Sequence, residues 1–187
     1  MSSVDKPEWT GKRVYLRAIS LEDAEALYQC WSHPEVSCWL GAPPLHSISD
    51  TREVISHLLH LANEEESLRF SIIVPDGKVI GSGGFNYWQL EGAYRGEVGC
   101  ELLPEYWGQG YMKEALELIL GYGFKSLGLN RIEAICRPDN TRAARLFTGL
   151  GFKQEGILRQ YRHTVLGYQD VAMYSLLHSD RVEKRQM

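Results

Sequence analysis

Little in this chain invites disulfide, metal, membrane or nucleic-acid chemistry. Its four cysteines, Cys30, Cys38, Cys100 and Cys136, form no Cys-x-x-Cys pair. Cys100 and Cys136 fall in apolar runs where a small buried thiol is ordinary, so reduced cysteines and a cytoplasmic setting are expected. Neither has a histidine close in sequence, which argues against a thiol nucleophile. His57 and His60 share a helical face, but no carboxylate or thiol clusters with them, and no metal is expected. A basic excess is also lacking: 20 Lys and Arg against 24 Asp and Glu give a formal charge of -4. That balance disfavours nucleic acid as a partner and is compatible with a cationic one. No basic segment followed by an apolar run opens the sequence, and the most apolar helical stretch carries Glu114, Glu117 and Lys125. Neither a signal peptide nor a membrane span is therefore expected. Linkers, repeats and low-complexity segments are missing too. With 187 residues and 44% hydrophobic content, the chain is sized for one domain with a real core.

What stands out is the stretch from Glu97 to Ala115. Val98, Cys100 and Leu102 alternate with Glu97, Gly99 and Glu101, the period of a half-buried strand, and Pro104 ends the ladder because it has no N–H to give. Beyond Trp107-Gly108-Gln109-Gly110, the residues Met112, Ala115, Leu116, Ile119, Leu120, Gly123, Phe124 and Leu127 recur at helical spacing. The glycine turn thus sits on a helix N-terminus, where unpaired N–H groups and the positive end of the helix dipole favour a phosphate.

The rest of the chain supplies a frame for that turn. A first strand is expected over 13–18, a helix capped at Ser20 running through Trp31, and, after prolines break the chain, a second helix capped at Ser49 or Asp50 and ending near Asn63. The acid run Glu64-Glu65-Glu66 reads as a solvated helix end, or as a weak attractor of cations. Strands over 69–75 and 78–87 flank Pro75-Asp76-Gly77, a hairpin signal. A strand over 131–137, a helix opened by Asp139-Asn140-Thr141 and ended by Gly149 to Gly151, and strands over 152–163 and 168–177 complete the pattern. The polar tail after His178 is expected to be loosely ordered.

The glycines alone do not name the phosphate ligand. A nucleotide P-loop needs Lys-Ser/Thr after its last glycine, and Gly110 is followed by Tyr111 and Met112. A dinucleotide fold places its glycine fingerprint near the chain start in repeating βαβ units, whereas three strands precede this one. The segment Trp107-Gly108-Gln109-Gly110-Tyr111-Met112 instead resembles the Gln/Arg-x-x-Gly-x-Gly/Ala loop of the GCN5-related N-acetyltransferases (GNAT enzymes). It is nearest the Tyr-Trp-Gly-x-Gly-Tyr form of the RimJ/RimL-like branch, which acetylates ribosomal-protein N-termini. Asn140-Thr141-Arg142-Ala143-Ala144-Arg145 and Leu150-Gly151-Phe152-Lys153-Gln154-Glu155-Gly156 resemble two further family segments, and Gly167, Asp170 and Tyr174 fit the branch's closing hairpin. The resemblance implies an α/β (α+β) GNAT fold. Its sheet is mixed, mostly antiparallel, of about seven strands with about four helices. The domain would cover residues 11–178, with 1–10 and 179–187 as short terminal segments.

The resemblance further implies that acetyl-coenzyme A enters between the strand ending at Leu103 and the strand over 131–137, which splay apart in this family. Backbone groups of Glu101, Leu102 and Leu103 would pair with the pantetheine, and Asn140 would reach it from the other side. Trp107, Gly108, Gln109, Gly110, Tyr111 and Met112 would hold the pyrophosphate, with Arg145 and Phe147 completing the coenzyme site. Candidate general bases are Glu155, which equally suits orienting the hairpin, and Glu101, for which a solvated or salt-bridged role competes with catalysis. The family's hydroxyl acid is missing, since Phe147 and Ala143 stand where a Tyr or Ser is usual. A thiol with pKa near 8.5 leaves tolerably as its anion, aided by water or Thr148. Deprotonating the acceptor at pH 7 costs about 1 kcal/mol for an α-amine but about 4 to 5 kcal/mol for a lysine-like amine. The branch resemblance implies a protein N-terminus as the acceptor, with a polyamine or amino-drug as rival. A non-catalytic acyl-coenzyme A module is the alternative in kind. The oligomeric state, including a homodimer, is left open.

Overall fold

The computed structural model describes residues 8–64 and 66–183. Glu65 of the acid run, and residues 1–7 and 184–187 of the expected terminal segments, lie outside the described residues. In chain order the elements are β1 (Trp9–Thr10), β2 (Tyr15–Ala18), α1 (Ala24–Trp31), α2 (Pro34–Leu40), α3 (Ile48–Asn63), β3 (Leu68–Ile73), β4 (Val79–Gln89) and β5 (Arg95–Leu102). Then follow α4 (Tyr111–Lys125), β6 (Arg131–Cys136), α5 (Thr141–Leu150), β7 (Lys153–Thr164), β8 (Gly167–Leu177) and α6 (His178–Glu183). The strands make one eight-stranded open sheet in the order β1-β2-β3-β4-β5-β6-β8-β7.

Every neighbouring pair is antiparallel except β5 and β6. Those two need a crossover, and α4 supplies it, as a parallel connection requires. The apolar stripe read from the sequence is the buried face of α4: Ala115, Leu116 and Ile119 are fully enclosed. Gly123 lets the helix lie close, since a Cβ there would sit 2.9 Å from Ile132 Cδ1. The β5–β6 register runs only from Arg95↔Arg131 to Glu97↔Glu133. Past that point β5 continues to Leu102 and β6 to Cys136 without pairing each other. A V-shaped gap therefore opens in the sheet, at the place the resemblance implied.

Among the described residues there are eight strands and six helices rather than about seven and four. Pro34 is the instructive difference. It begins α2 instead of breaking the chain, because at N1 its missing N–H is one the helix would leave unpaired, and His33 Nδ1 accepts from Glu35 N–H at 3.3 Å. Ser47, not Ser49 or Asp50, caps α3, accepting from Asp50 N–H at 3.1 Å. Trp9–Thr10 pair with β2, and residues 178–183 form α6 where a loose tail was expected. No helix among the described residues is long and apolar enough to cross a membrane.

Candidate active site

Alternate residues of a strand direct their backbone polar groups to opposite edges. Leu103 N–H donates to Ile80 O at 2.9 Å, towards β4. By that parity Glu101 also turns its backbone to β4, whereas Cys100 and Leu102 direct theirs into the gap. Of the three residues expected to pair with pantetheine, only Leu102 therefore presents its backbone there. Its carbonyl accepts from Trp107 Nε1 at 2.7 Å, and the Arg142 guanidinium lies 3.5 Å from the Trp107 ring centroid. Trp107, where the family pattern has Gln or Arg, is thus a bridge from β5 to α5.

A cleft of about 550 Å³ runs from Cys100 and Leu102 to the turn before α4. Gly108 and Gly110 line it and hold φ of 72° and 85°, a region that strains other residues. No side chain caps α4, so its first N–H groups are free to bind an anion. Lys113, Arg142 and Arg145 line the same cleft. Free donors, glycines and three cations together fit a phosphate-bearing coenzyme arm. Met112 and Asn140 also line it, although Asn140 Oδ1 accepts from Ala143 N–H at 3.1 Å as the cap of α5. Gln109 and Tyr111 do not line it: Arg13 donates to Gln109 O at 2.9 Å and stacks 4.7 Å from the Tyr111 centroid, bracing the turn from behind.

A second cleft, of about 630 Å³, meets the first at Cys100, Glu101, Asn140 and Ala143. Its floor is the face of β5 that carries Glu97, Gly99 and Glu101. Arg69 from β3 forms an ion pair with Glu101, which also accepts from Ser82 Oγ at 2.9 Å. Arg69 Nη1 donates to Asn86 Oδ1 at 3.1 Å, and Asn86 Nδ2 donates to Glu97 Oε1 at 2.8 Å. Gly99 makes this crossing chain fit, because a Cβ there would lie 2.8 Å from Asn86 Oδ1. Glu101 is thereby fixed and neutralised, the salt-bridge role weighed for it. Glu97 is 6% exposed. Burial holds its carboxyl above the usual carboxylate range, against the lowering effects of Asn86 and Arg162. The alternation that singled out Glu101 also put Glu97 on this face, but only the partners from β3 and β4 distinguish the two.

Other expected residues stand elsewhere. Glu155 accepts two hydrogen bonds from Arg131, at 2.7 and 2.6 Å, and one from Ser175 Oγ at 2.7 Å. It lines neither cleft, and the Arg131 guanidinium brings its carboxyl down to about 2. Phe147 is buried among Phe152 and Tyr174 and borders the second cleft, not the first. Thr148 Oγ1 is turned to its own helix, donating to Ala144 O at 2.8 Å. Burial pushes the Cys100 and Cys136 thiols up to about 12 and about 11, which leaves neither as a ready nucleophile. No cluster of His, Cys, Asp and Glu suited to a metal occurs among the described residues.

The model for the acetyltransferase (GNAT) domain matches residues 13–153 of the chain. The chain belongs to the GNAT family. This GNAT enzyme is 42% identical over 167 residues to the uncharacterized N-acetyltransferase p20 of Bacillus licheniformis, covering 89% of this chain and 93% of p20. It is 25% identical over 160 residues to the spermidine N(1)-acetyltransferase of Escherichia coli (strain K12), covering 81% and 83% of the two chains. Among solved structures, Mycobacterium smegmatis RimJ in complex with CoA-disulfide superimposes with a TM-score of 0.82 at 23% identity, covering 89% of this chain and 83% of RimJ. At that identity the likeness speaks to the fold. The GNAT enzyme is accordingly an N-acetyltransferase, which moves acetyl from acetyl-coenzyme A to an acceptor amine.

Proposed function

We propose that the acceptor is the N-terminal α-amine of a polypeptide, acetylated by direct attack within a ternary complex, with Glu97 as the general base. The observation that carries this reading is Glu97 itself: a buried carboxylate with one hydrogen bond from a neutral amide, at the point where β5 and β6 part. Its neighbour Glu101 is spoken for by Arg69. Two carboxylates share one strand face, Glu101 held in an ion pair by Arg69 and Glu97 bonded only by the Asn86 amide, and the second is the one open to an acceptor.

In the ternary complex Glu97 takes a proton from the acceptor ammonium, and the freed nitrogen lone pair attacks the thioester carbonyl. Cys100 N–H, directed into the gap, supports the charge that develops on the carbonyl oxygen. The C–N bond forms as the C–S bond breaks. With Phe147 and Ala143 beside the site in place of a hydroxyl, the coenzyme departs as thiolate, and the second proton of the attacking nitrogen passes through water to its sulfur. Lys113, Arg142, Arg145 and the uncapped turn at Gly108 to Gly110 hold the phosphates. An α-amine suits one modest base better than a lysine-like amine does, by the roughly 3 to 4 kcal/mol difference in deprotonation cost at pH 7.

A polyamine acceptor is the second reading, favoured by Asp50 and Glu53 on the wall of the second cleft and by the spermidine-acetylating relative. Against it, Glu64 and Glu66 do not line that cleft. Incubation with acetyl-coenzyme A and a panel of N-terminal peptides, spermidine and aminoglycosides separates the readings by thiol release. Turnover of peptides above the amines supports the proposal; turnover of amines alone refutes it. Coenzyme binding without transfer to any of them would leave a binding module.

A further inference from the structure

One charged group in the second cleft has no hydrogen-bonding or ion-pair partner among the described residues, although its charge lowers the Glu97 carboxyl across the cleft. Arg162 on β7 lines that cleft with Glu97, half-buried, its stem packed beside Gly41. The other charges there are accounted for. Arg69 holds Glu101, Asp50 accepts from His46 N–H at 2.8 Å and Ser47 Oγ at 2.7 Å, and Glu53 is exposed and screened. A buried carboxylate and an unbonded guanidinium remain.

The chain is bent to put Arg162 there. The β7–β8 register shifts between Leu158 and Arg162. Within that bulge Gln160 adopts φ of 49°, held by its N–H donating to Asp170 Oδ1 at 2.8 Å. A bulge of this kind re-aims the side chain that follows it, and a left-handed non-glycine residue is strain that something must maintain. Asp170, which the sequence marked as a hairpin residue, does so.

We propose that Arg162 reads an acidic group carried by the acceptor close to its amine, so that the preferred acceptor is a polypeptide N-terminus with Asp or Glu at its second position. This rests on the N-terminal reading above. The amine meets Glu97 while the acceptor's carboxylate meets Arg162, and a lysine in place of the acid sets like charges together.

The test compares three peptides that differ only at the second residue, Asp, Asn or Lys, on the wild type and on Arg162→Gln, Arg162→Lys and Arg162→Glu. The wild type should favour Asp over Lys by about tenfold or more in kcat/KM. Arg162→Lys should keep the preference, Arg162→Gln should bring the ratio near one, and Arg162→Glu should invert it. Coenzyme affinity should stay unchanged in all four proteins, which reports an intact fold. A wild type indifferent to the second residue overturns the proposal. So does a preference that survives Arg162→Gln and Arg162→Glu while only the pH profile moves, which would make Arg162 the counter-ion of Glu97. Failure to acetylate any peptide refutes the N-terminal reading instead. In that event the same variants, compared on glutamate and spermidine, decide whether Arg162 selects an acidic acceptor.

Discussion

Asn86 and Glu97 share one hydrogen bond, 2.8 Å from amide to carboxylate, and the other end of the same amide accepts from Arg69. The amide is oriented by Arg69, so its N–H must face Glu97. Replacing Glu97 by Gln should lower kcat by about 10² to 10⁴, the range for loss of a general base, with coenzyme affinity unchanged. Steady-state kinetics beside calorimetric titration of coenzyme checks this.

The pH dependence follows from the same contact. Burial raises the Glu97 carboxyl, so activity should fall as pH drops through a value above the usual carboxylate range. Asn86 opposes that rise, and Asn86→Ala should shift the acid limb to higher pH. For stability the sign reverses: the folded state binds the proton more tightly than the unfolded one, so Glu97 destabilises the fold increasingly as pH rises through that window. Glu97→Gln should therefore melt higher than the wild type near neutral pH, while working less well.

Gly99→Ala should break the Arg69–Asn86 crossing without touching either carboxylate. A Cβ 2.8 Å from Asn86 Oδ1 and 3.2 Å from Arg69 Nη1 forces one of them aside. A loss of about 1 to 3 kcal/mol in chemical denaturation is expected, with reduced kcat.

Glu155 should behave as a structural acid. Its ordinary value falls to about 2 in the fold, chiefly through Arg131. Its contribution is present above the unfolded value and lost as pH falls towards 2. Solvent reaches the pair, so Glu155→Gln should cost about 1 kcal/mol or less at pH 7 and change kcat by about twofold at most. Melting curves at pH 7 and near pH 2 should show the difference shrinking.

Trp107→Ala should raise KM for acetyl-coenzyme A by about tenfold, because it removes both the hydrogen bond to Leu102 and the platform under Arg142. Trp107→Phe keeps the ring and should recover most of that loss.

The strand, turn and helix from Glu97 to Lys125 were legible because period two and period 3.6 are written in adjacent residues. The start of α5 at Asn140 was legible because a cap is equally local: its side chain accepts from the N–H three residues on. Pro34 misled because the same residue stops a helix from inside and starts one at N1. What the sequence could not display is cross-strand partnership. Whether Glu97 or Glu101 is the free acid depends on where Arg69 and Asn86 fall in the β3 and β4 registers. Which of residues 100 to 103 face the gap depends on the single bond from Leu103 to Ile80. Glu155 likewise carries nothing nearby in sequence that foretells Arg131.

Three rungs, from Arg95–Arg131 to Glu97–Glu133, pair the five-stranded part of the sheet with its three-stranded part. That seam is where the molecule should breathe first, since so few backbone bonds cross it. A ligand whose amides span the gap would act as a suture, and slower amide exchange in β6 and β8 would record the two leaves becoming one plate.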